Sequence, residues 1–115
     1  MLAANMGTLA GIAKGDIAYD EAVARHAAAN LQALGQYDVT MHFLDGTSRD
    51  DLGAERTAAL PAIFANRDDF AARLAGLREA TTGAAEAVAD QAAVGALVGR
   101  IGGACKACHD SYRAK

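Results

Sequence analysis

The residues of this chain that could do chemistry are concentrated near its C-terminal end, where Cys105-Lys106-Ala107-Cys108-His109 contains both cysteines of the protein. On a helix, Cys105 and Cys108 share one face, and His109 lies one turn after Cys105. With this spacing two thiols can bond the two vinyl groups of a haem while the adjacent imidazole reaches the iron, and the Cys-x-x-Cys-His pattern is typical of such c-type attachment. The sequence therefore predicts one covalent haem c, attached through Cys105 and Cys108, with His109 as the proximal iron ligand.

The same residues have two other interpretations. Cys105 and Cys108 could form a dithiol redox pair, although pairs of the thioredoxin type begin a helix in a βαβ setting. Together with His109 they could bind zinc, which would need a fourth ligand, and His26 and His42 are the other histidines of the chain. Haem attachment is the favoured interpretation, and zinc binding and dithiol chemistry remain alternatives.

The composition indicates that helices position this motif. Alanine is by far the commonest residue, Pro61 is the single proline, and valine, isoleucine and threonine are sparse beside alanine, leucine and arginine. Alanine and the straight-chain residues lose little on becoming helical, whereas strands are usually rich in β-branched residues. We expect an all-α fold in one domain that spans residues 1–115.

Charge and hydropathy exclude two classes of partner. The net charge is -3 at pH 7, and acidic and basic residues are interspersed, so there is no basic stripe of the kind that binds nucleic acid. The longest apolar run, Ala58–Ala65, is far shorter than the roughly 20 residues that cross a bilayer, and it contains Pro61. We therefore expect neither nucleic acid binding nor membrane insertion.

Helical periodicity predicts two helices in the first part of the chain. The first is stopped by a turn at Gly15 and Asp16. Its apolar face consists of Leu2, Met6, Leu9 and Ala13. Asp20 is expected to cap the second helix, which should end between Gly35 and Leu44. The apolar face of this second helix consists of Val23, Ala27, Leu31 and Leu34.

The rest of the chain predicts a long connection and two more helices. Turn residues at Asp45–Ser48 and weak periodicity over Arg49–Asn66 indicate a connection with one short helical piece. A third helix should begin at Arg67, and a fourth should follow Asp90 and carry the cysteines to the end of the chain. The buried stripe of the third helix consists of Phe70, Leu74, Leu77, Thr81, Ala84 and Val88. That of the fourth consists of Val94, Leu97, Ile101, Ala104 and Cys108. Four such helices suit an antiparallel four-helix bundle, with the haem near the C-terminus of the last helix.

Two glycines precede the cysteines within the fourth predicted helix. Gly102 and Gly103 each cost about 1 kcal/mol relative to alanine in a helix, so a functional or packing reason is expected. A flat ring passing close to the backbone would be such a reason.

With this motif and its flanking residues, the chain resembles the cytochromes c-prime. Gly102–Arg113 is similar to the C-terminal helix of that family, and Ile63–Phe70 is similar to the stretch that opens its third helix. Gly11–Gly15, with Tyr19 and Asp20, fits its first turn. The similarity covers nearly the whole chain, and it implies a four-helix bundle, usually a homodimer packed through its first two helices, in the bacterial periplasm.

The resemblance also implies roles for residues of the site. It assigns Cys105 and Cys108 as attachment points, His109 as the single protein ligand of a high-spin, five-coordinate iron, and Arg113 as the basic residue beside the proximal imidazole. It implies binding of nitric oxide and carbon monoxide, and electron transfer with a redox partner protein that the sequence does not identify.

The opposite, distal side of the haem is less defined. Aligned on Gly11–Gly15, the distal position of the family falls just before Met1, and Leu2, Met6 and Leu9 are the residues expected to face that side. Low-spin relatives place a methionine at the distal position. The alternative is therefore a six-coordinate, His/Met-ligated electron-transfer cytochrome.

Two expectations concern activity and assembly. No distal histidine, arginine or carboxylate that would cleave a bound peroxide can be identified, so an enzyme is not expected. The small side chains Ala10, Ala24 and Ala28 on the first two helices are expected to be free to pack against a second copy in a homodimer.

Overall fold

Four long helices form the frame of the molecule in the computed structural model, which describes all residues 1–115. In chain order the helices are α1 (Leu2–Lys14), α2 (Glu21–Gln36), α3 (Arg49–Leu52), α4 (Ala62–Ala65), α5 (Arg67–Thr81) and α6 (Gln91–Tyr112). Helix α1 packs against α2 and α6, and α5 packs against the same two helices. The four long helices thus close into the predicted four-helix bundle, 43 × 25 × 18 Å in extent.

The helix ends follow local signals in the sequence. Gly15 ends α1 with φ at +83°, a left-handed conformation that favours glycine. Asp20 accepts a hydrogen bond from the Val23 amide at 3.0 Å, and Asp90 accepts one from the Ala93 amide at 2.7 Å. These carboxylates satisfy amides that have no partner within the first turn of a helix.

The buried face of α2 differs from the predicted one. Val23 is 44% exposed, whereas Ala24 and Ala28 are completely buried among the side chains of the same chain. The face is rotated toward the small residues, which allows α2 to approach its neighbours closely. The expectation that Ala24 and Ala28 are free to contact a partner is therefore wrong; Ala10 is half-buried.

The connection between α2 and α5 is more helical than predicted, and α5 is shorter than predicted. The connection over residues 49–66 contains two short helices, α3 and α4, and a 3-10 turn at Val39–His42 precedes it. Helix α5 ends at Thr81, because Gly83 turns the chain with φ at +71°. Ala84 and Val88 are nevertheless buried, from a 3-10 turn and the link after it rather than from a helix.

Two separate groups of buried side chains hold the bundle together. The main core is built from α1, α2, α6 and the Ala84–Val88 region. A second cluster consists of Ile63, Phe70 and Tyr112. The buried residues of α5 lie toward its two ends, at Phe70 and at Ala80 and Thr81. Leu74 and Leu77, in the middle of its apolar face, are half-exposed. The apolar face of α5 is therefore incompletely covered by protein.

No helix is both long enough and apolar enough to span a membrane.

Candidate functional site

Helix α6 carries the predicted haem-binding residues in its last two turns. Cys105 and Cys108 are half-buried free thiols, and His109 is exposed. Cys105 packs against the main core, and Cys108 packs against the second cluster. The two sulfurs are therefore presented side by side on one helix face, as the spacing predicts, while the imidazole is reachable from outside.

The electrostatic surroundings of the thiols disfavour dithiol redox chemistry. Burial raises the pKa of Cys105, and burial also raises the pKa of Cys108, where the Arg73 guanidinium partly opposes the effect. Redox-active pairs work through a thiolate of lowered pKa. The raised pKa values therefore do not favour the dithiol interpretation.

The structure also offers no support for zinc. Nowhere in the chain do three or more His, Cys, Asp or Glu side chains form a group that could hold a metal ion. His26 is exposed on α2, and His42 shares a hydrogen bond of 2.6 Å with the Tyr37 hydroxyl. Neither is brought to the cysteines as the fourth ligand that a structural zinc site needs.

A cavity of about 350 Å³ lies between the start of α1, the end of α2 and the middle of α5. Its lining is mainly apolar and consists of Leu2, Leu34, Gly35, Tyr37, Asp38, Val39, Thr40, Ala71, Leu74, Ala75, Leu77 and Arg78. The cysteines are not in the lining. However, Leu74 packs against the same cluster as Cys108, and Leu77 packs against the same core as Cys105. Leu74 and Leu77 therefore belong both to the lining of the cavity and to the side chains packed against the clusters that the cysteines contact.

The residues expected on the distal side occupy different positions. Leu2 lines the cavity, Met6 is half-buried against the main core, and Leu9 is completely buried within that core. Of the three, only Leu2 lines the cavity, and which of them faces the haem stays a prediction. Leu9 faces the core because it is one of the side chains that join α1 to α2 and α6.

Arg113 lies just beyond the end of α6. Its backbone is extended, with φ -116° and ψ 132°, and pairs with Ala59 in an isolated antiparallel bridge. Its amide donates to the carbonyl of His109 at 3.2 Å, which keeps the residue one turn away from the imidazole. The exposed guanidinium has no hydrogen bond or ion pair within the chain.

Gly102 and Gly103 have open space beside them. A Cβ atom built on either residue would meet no protein atom within 4 Å. Packing between helices therefore does not explain these glycines, and the space next to the helix backbone remains available to another group.

Sequence reasoning missed the residues that hold the end of α6. The Tyr112 hydroxyl donates a hydrogen bond to the Asp69 carboxylate on α5, and Asp69 also pairs with Arg73 at 3.5 Å. The Tyr112 ring meets Phe70 edge-on, with 5.4 Å between ring centroids. Nothing in the local sequence pattern connects Asp69 to a tyrosine 43 positions away.

Comparisons with known proteins agree on one group. Residues 1–113 match the family model described as Cytochrome C'. A cytochrome c' of Cereibacter sphaeroides is 40% identical over 116 residues, an alignment that covers 100% of this chain and 76% of the relative.

Solved structures give the same answer. A cytochrome c' from Rhodobacter sphaeroides superimposes with a TM-score of 0.90 at 40% identity and covers 98% of this chain and 86% of its own. The nitric oxide complex of a cytochrome c prime variant from Alcaligenes xylosoxidans superimposes with a TM-score of 0.78 at 27% identity and covers 99% and 85% of the two chains.

Proposed function

The chain belongs to the cytochrome c' family, and on that premise we propose that it is a periplasmic cytochrome with a five-coordinate, high-spin haem that serves electron transfer and the binding of nitric oxide and carbon monoxide. Proteins of this family bind haem c covalently and act as electron-transfer cytochromes.

The observation that carries the proposal is the pair of half-buried thiols on α6 beside the incompletely covered face of α5. Cys105 and Cys108 would hold the haem through thioether bonds, and His109 would supply an imidazole nitrogen to its iron. When bound, the haem supplies an iron that changes between ferric and ferrous states and accepts diatomic ligands. The half-exposed Leu74 and Leu77 and the adjoining cavity would give its apolar surface a place to pack.

The lining of the cavity supports the choice of ligands. Leu2, Leu34, Leu74 and Leu77 offer no hydrogen bond to a ligand. The polar side chains of the lining already have partners within the chain: Tyr37 bonds to His42, Thr40 to Asp38, and Arg78 to the Gln36 carbonyl. Bound dioxygen and anions would therefore gain little stabilisation from this lining. Nitric oxide and carbon monoxide depend less on such bonds. The solved variant of the cytochrome c prime from Alcaligenes xylosoxidans is a nitric oxide complex, which supports the same property here.

Acid-acetone extraction tests the attachment. We expect the red colour to stay with the polypeptide, because thioether bonds survive denaturation and a merely coordinated haem does not. Replacing both cysteines by alanine should release the colour into the solvent. Colour that leaves the unaltered polypeptide would disprove covalent attachment.

Optical spectra test the coordination. We expect a high-spin ferric spectrum and a carbon monoxide adduct of the ferrous protein. Met1 and Met41 are 89% and 64% exposed, and Met6 is the methionine half-buried on α1. A low-spin, methionine-ligated ferric spectrum without a carbon monoxide adduct would favour the six-coordinate electron-transfer cytochrome instead.

A further inference from the structure

We infer that Tyr112 and Asp69 are positioning residues for His109: by fastening the last turn of α6 to α5, they set the direction in which the imidazole points. The inference rests on the proposed role of His109 as the iron ligand. It assigns a task to two residues that sequence reasoning did not connect.

The need for such a device follows from the place of His109. It lies in the last turn of α6, and helix ends fray unless something holds them. Histidine ligands are usually oriented by a hydrogen bond from the second ring nitrogen to a carboxylate or carbonyl. The ring of His109 has no such partner within the chain, so its direction depends on the backbone that carries it.

The Tyr112 side chain ties this turn to α5. Tyr112 is 5% exposed, and its hydroxyl donates to the Asp69 carboxylate. Its ring packs edge-on against Phe70 at 79°, and Phe70 packs edge-on against Phe43 at 71°. A hydrogen bond and an aromatic contact therefore fix the same residue, three positions after His109.

The Tyr112 backbone ties the turn to a second segment. Its carbonyl accepts a hydrogen bond from the Leu60 amide at 3.0 Å, and the Ala114 amide donates to the Ala58 carbonyl at 2.8 Å. The chain leaving α6 is thus held on the connection between α3 and α4. Fraying of the His109 turn would have to break both ties at once.

Asp69 is itself held in place. It lies in the first turn of α5, where the helix dipole favours a carboxylate, and the Arg73 guanidinium pairs with it one turn later. Both interactions favour a carboxylate at this place, where it can accept from the Tyr112 hydroxyl.

The test compares two tyrosine-to-phenylalanine variants of the holoprotein. Tyr112→Phe removes the hydrogen bond to Asp69. Tyr19→Phe is the matched control, because the Tyr19 hydroxyl donates at 2.7 Å to the Val88 carbonyl, in a part of the bundle away from the end of α6. Each variant loses one partly buried hydrogen bond, so we expect similar decreases in the thermal midpoint Tm.

The decisive measurement is the iron–histidine stretching band of the ferrous protein in resonance Raman spectra. We expect Tyr112→Phe to shift and broaden this band and Tyr19→Phe to leave it at the wild-type position. An unshifted band in Tyr112→Phe would overturn the inference while leaving the proposed function intact. A wild-type protein without any such band would overturn both.

Two variants test the part assigned to Asp69. Asp69→Ala should shift the band in the same direction as Tyr112→Phe, because the acceptor is lost. Asp69→Asn keeps an oxygen that can accept from the hydroxyl and should shift the band less. Equal bands in Asp69→Ala and the wild type would show that Asp69 does not position His109.

Discussion

Cys105 and Cys108 have different surroundings although they share a helix face. Cys105 packs against the main core between α1, α2 and α6, while Cys108 packs against the second cluster of Ile63, Phe70 and Tyr112. Each cysteine is therefore fixed by a different group of side chains. A group bonded to both sulfurs would connect the two parts of the interior.

Replacing Arg113 should affect ligand binding without affecting stability. Its exposed side chain makes no hydrogen bond or ion pair within the chain, so Arg113→Ala should change the free energy of unfolding by no more than about 0.5 kcal/mol. The family resemblance implies that Arg113 lies beside the proximal imidazole, and on that expectation the affinity for nitric oxide should change measurably. Stopped-flow and equilibrium titrations check this.

Arg56→Ala is the control for Arg113→Ala, because Arg56 is also exposed but lies in the connection after α3. If the two variants bind nitric oxide as the wild type does, the role of Arg113 implied by the family resemblance is wrong.

At the scale of elements, α2 and α5 approach each other closely where Gly35 meets Thr81. Gly35, near the end of α2, is buried directly against Thr81, the last residue of α5. The Thr81 hydroxyl donates within its own helix, to the carbonyls of Leu77 and Arg78 at 2.9 and 3.0 Å. This polar group is satisfied locally, which allows α2 to pack over it without leaving a buried unpaired atom.

Gly35→Ala should therefore destabilise the protein. The added Cβ would lie 1.9 Å from the Thr81 hydroxyl oxygen and 2.9 Å from its Cβ, so one helix must move away. Overpacking of this kind costs about 1–3 kcal/mol in the free energy of unfolding. Denaturant titration of the holoprotein measures it.

Gly99→Ala serves as the comparison for Gly35→Ala. Gly99 is exposed within α6, and its added Cβ would meet nothing within 4 Å. Because alanine is the better helix former, this variant should be as stable as the wild type or gain up to about 1 kcal/mol. Equal stability of the two variants would contradict the tight contact with Thr81.

At the scale of the whole molecule, the bundle is well packed on one side and incomplete on the other. The sides formed by α1, α2 and α6 share a continuous core, but the middle of α5 faces the cavity. The cysteines are not in the lining of this cavity, but Leu74 and Leu77 belong both to the lining and to the side chains packed against the clusters that Cys108 and Cys105 contact.

The family resemblance leads us to expect a homodimer formed through α1 and α2. Since Ala24 and Ala28 are buried within the chain, the contact must use outward-facing residues such as Ala29 and Ala33. Ala33→Arg places a long charged side chain on that face and should increase the dissociation constant of the dimer by at least about tenfold, equivalent to roughly 1.4 kcal/mol. Sedimentation at micromolar concentration measures the mass.

Ala72→Arg is the control for the assembly, because Ala72 is exposed on α5, away from the proposed seam. A monomeric mass for the wild type would disprove the homodimer. An equal change of the dissociation constant in both variants would disprove the assignment of the interface to α1 and α2.

The sequence by itself determined the features that depend on neighbours within about one helical turn. The 3.6-residue periodicity, the cap at Asp20 and the glycine stop at Gly15 predicted the four long helices, and the spacing of Cys105 and Cys108 predicted the shared face. Only the tertiary structure decided which face of α2 is buried, where α5 ends, and that Asp69 meets Tyr112. Helix formation and capping are local, whereas burial depends on side chains that are distant in sequence and approach only when the helices pack together.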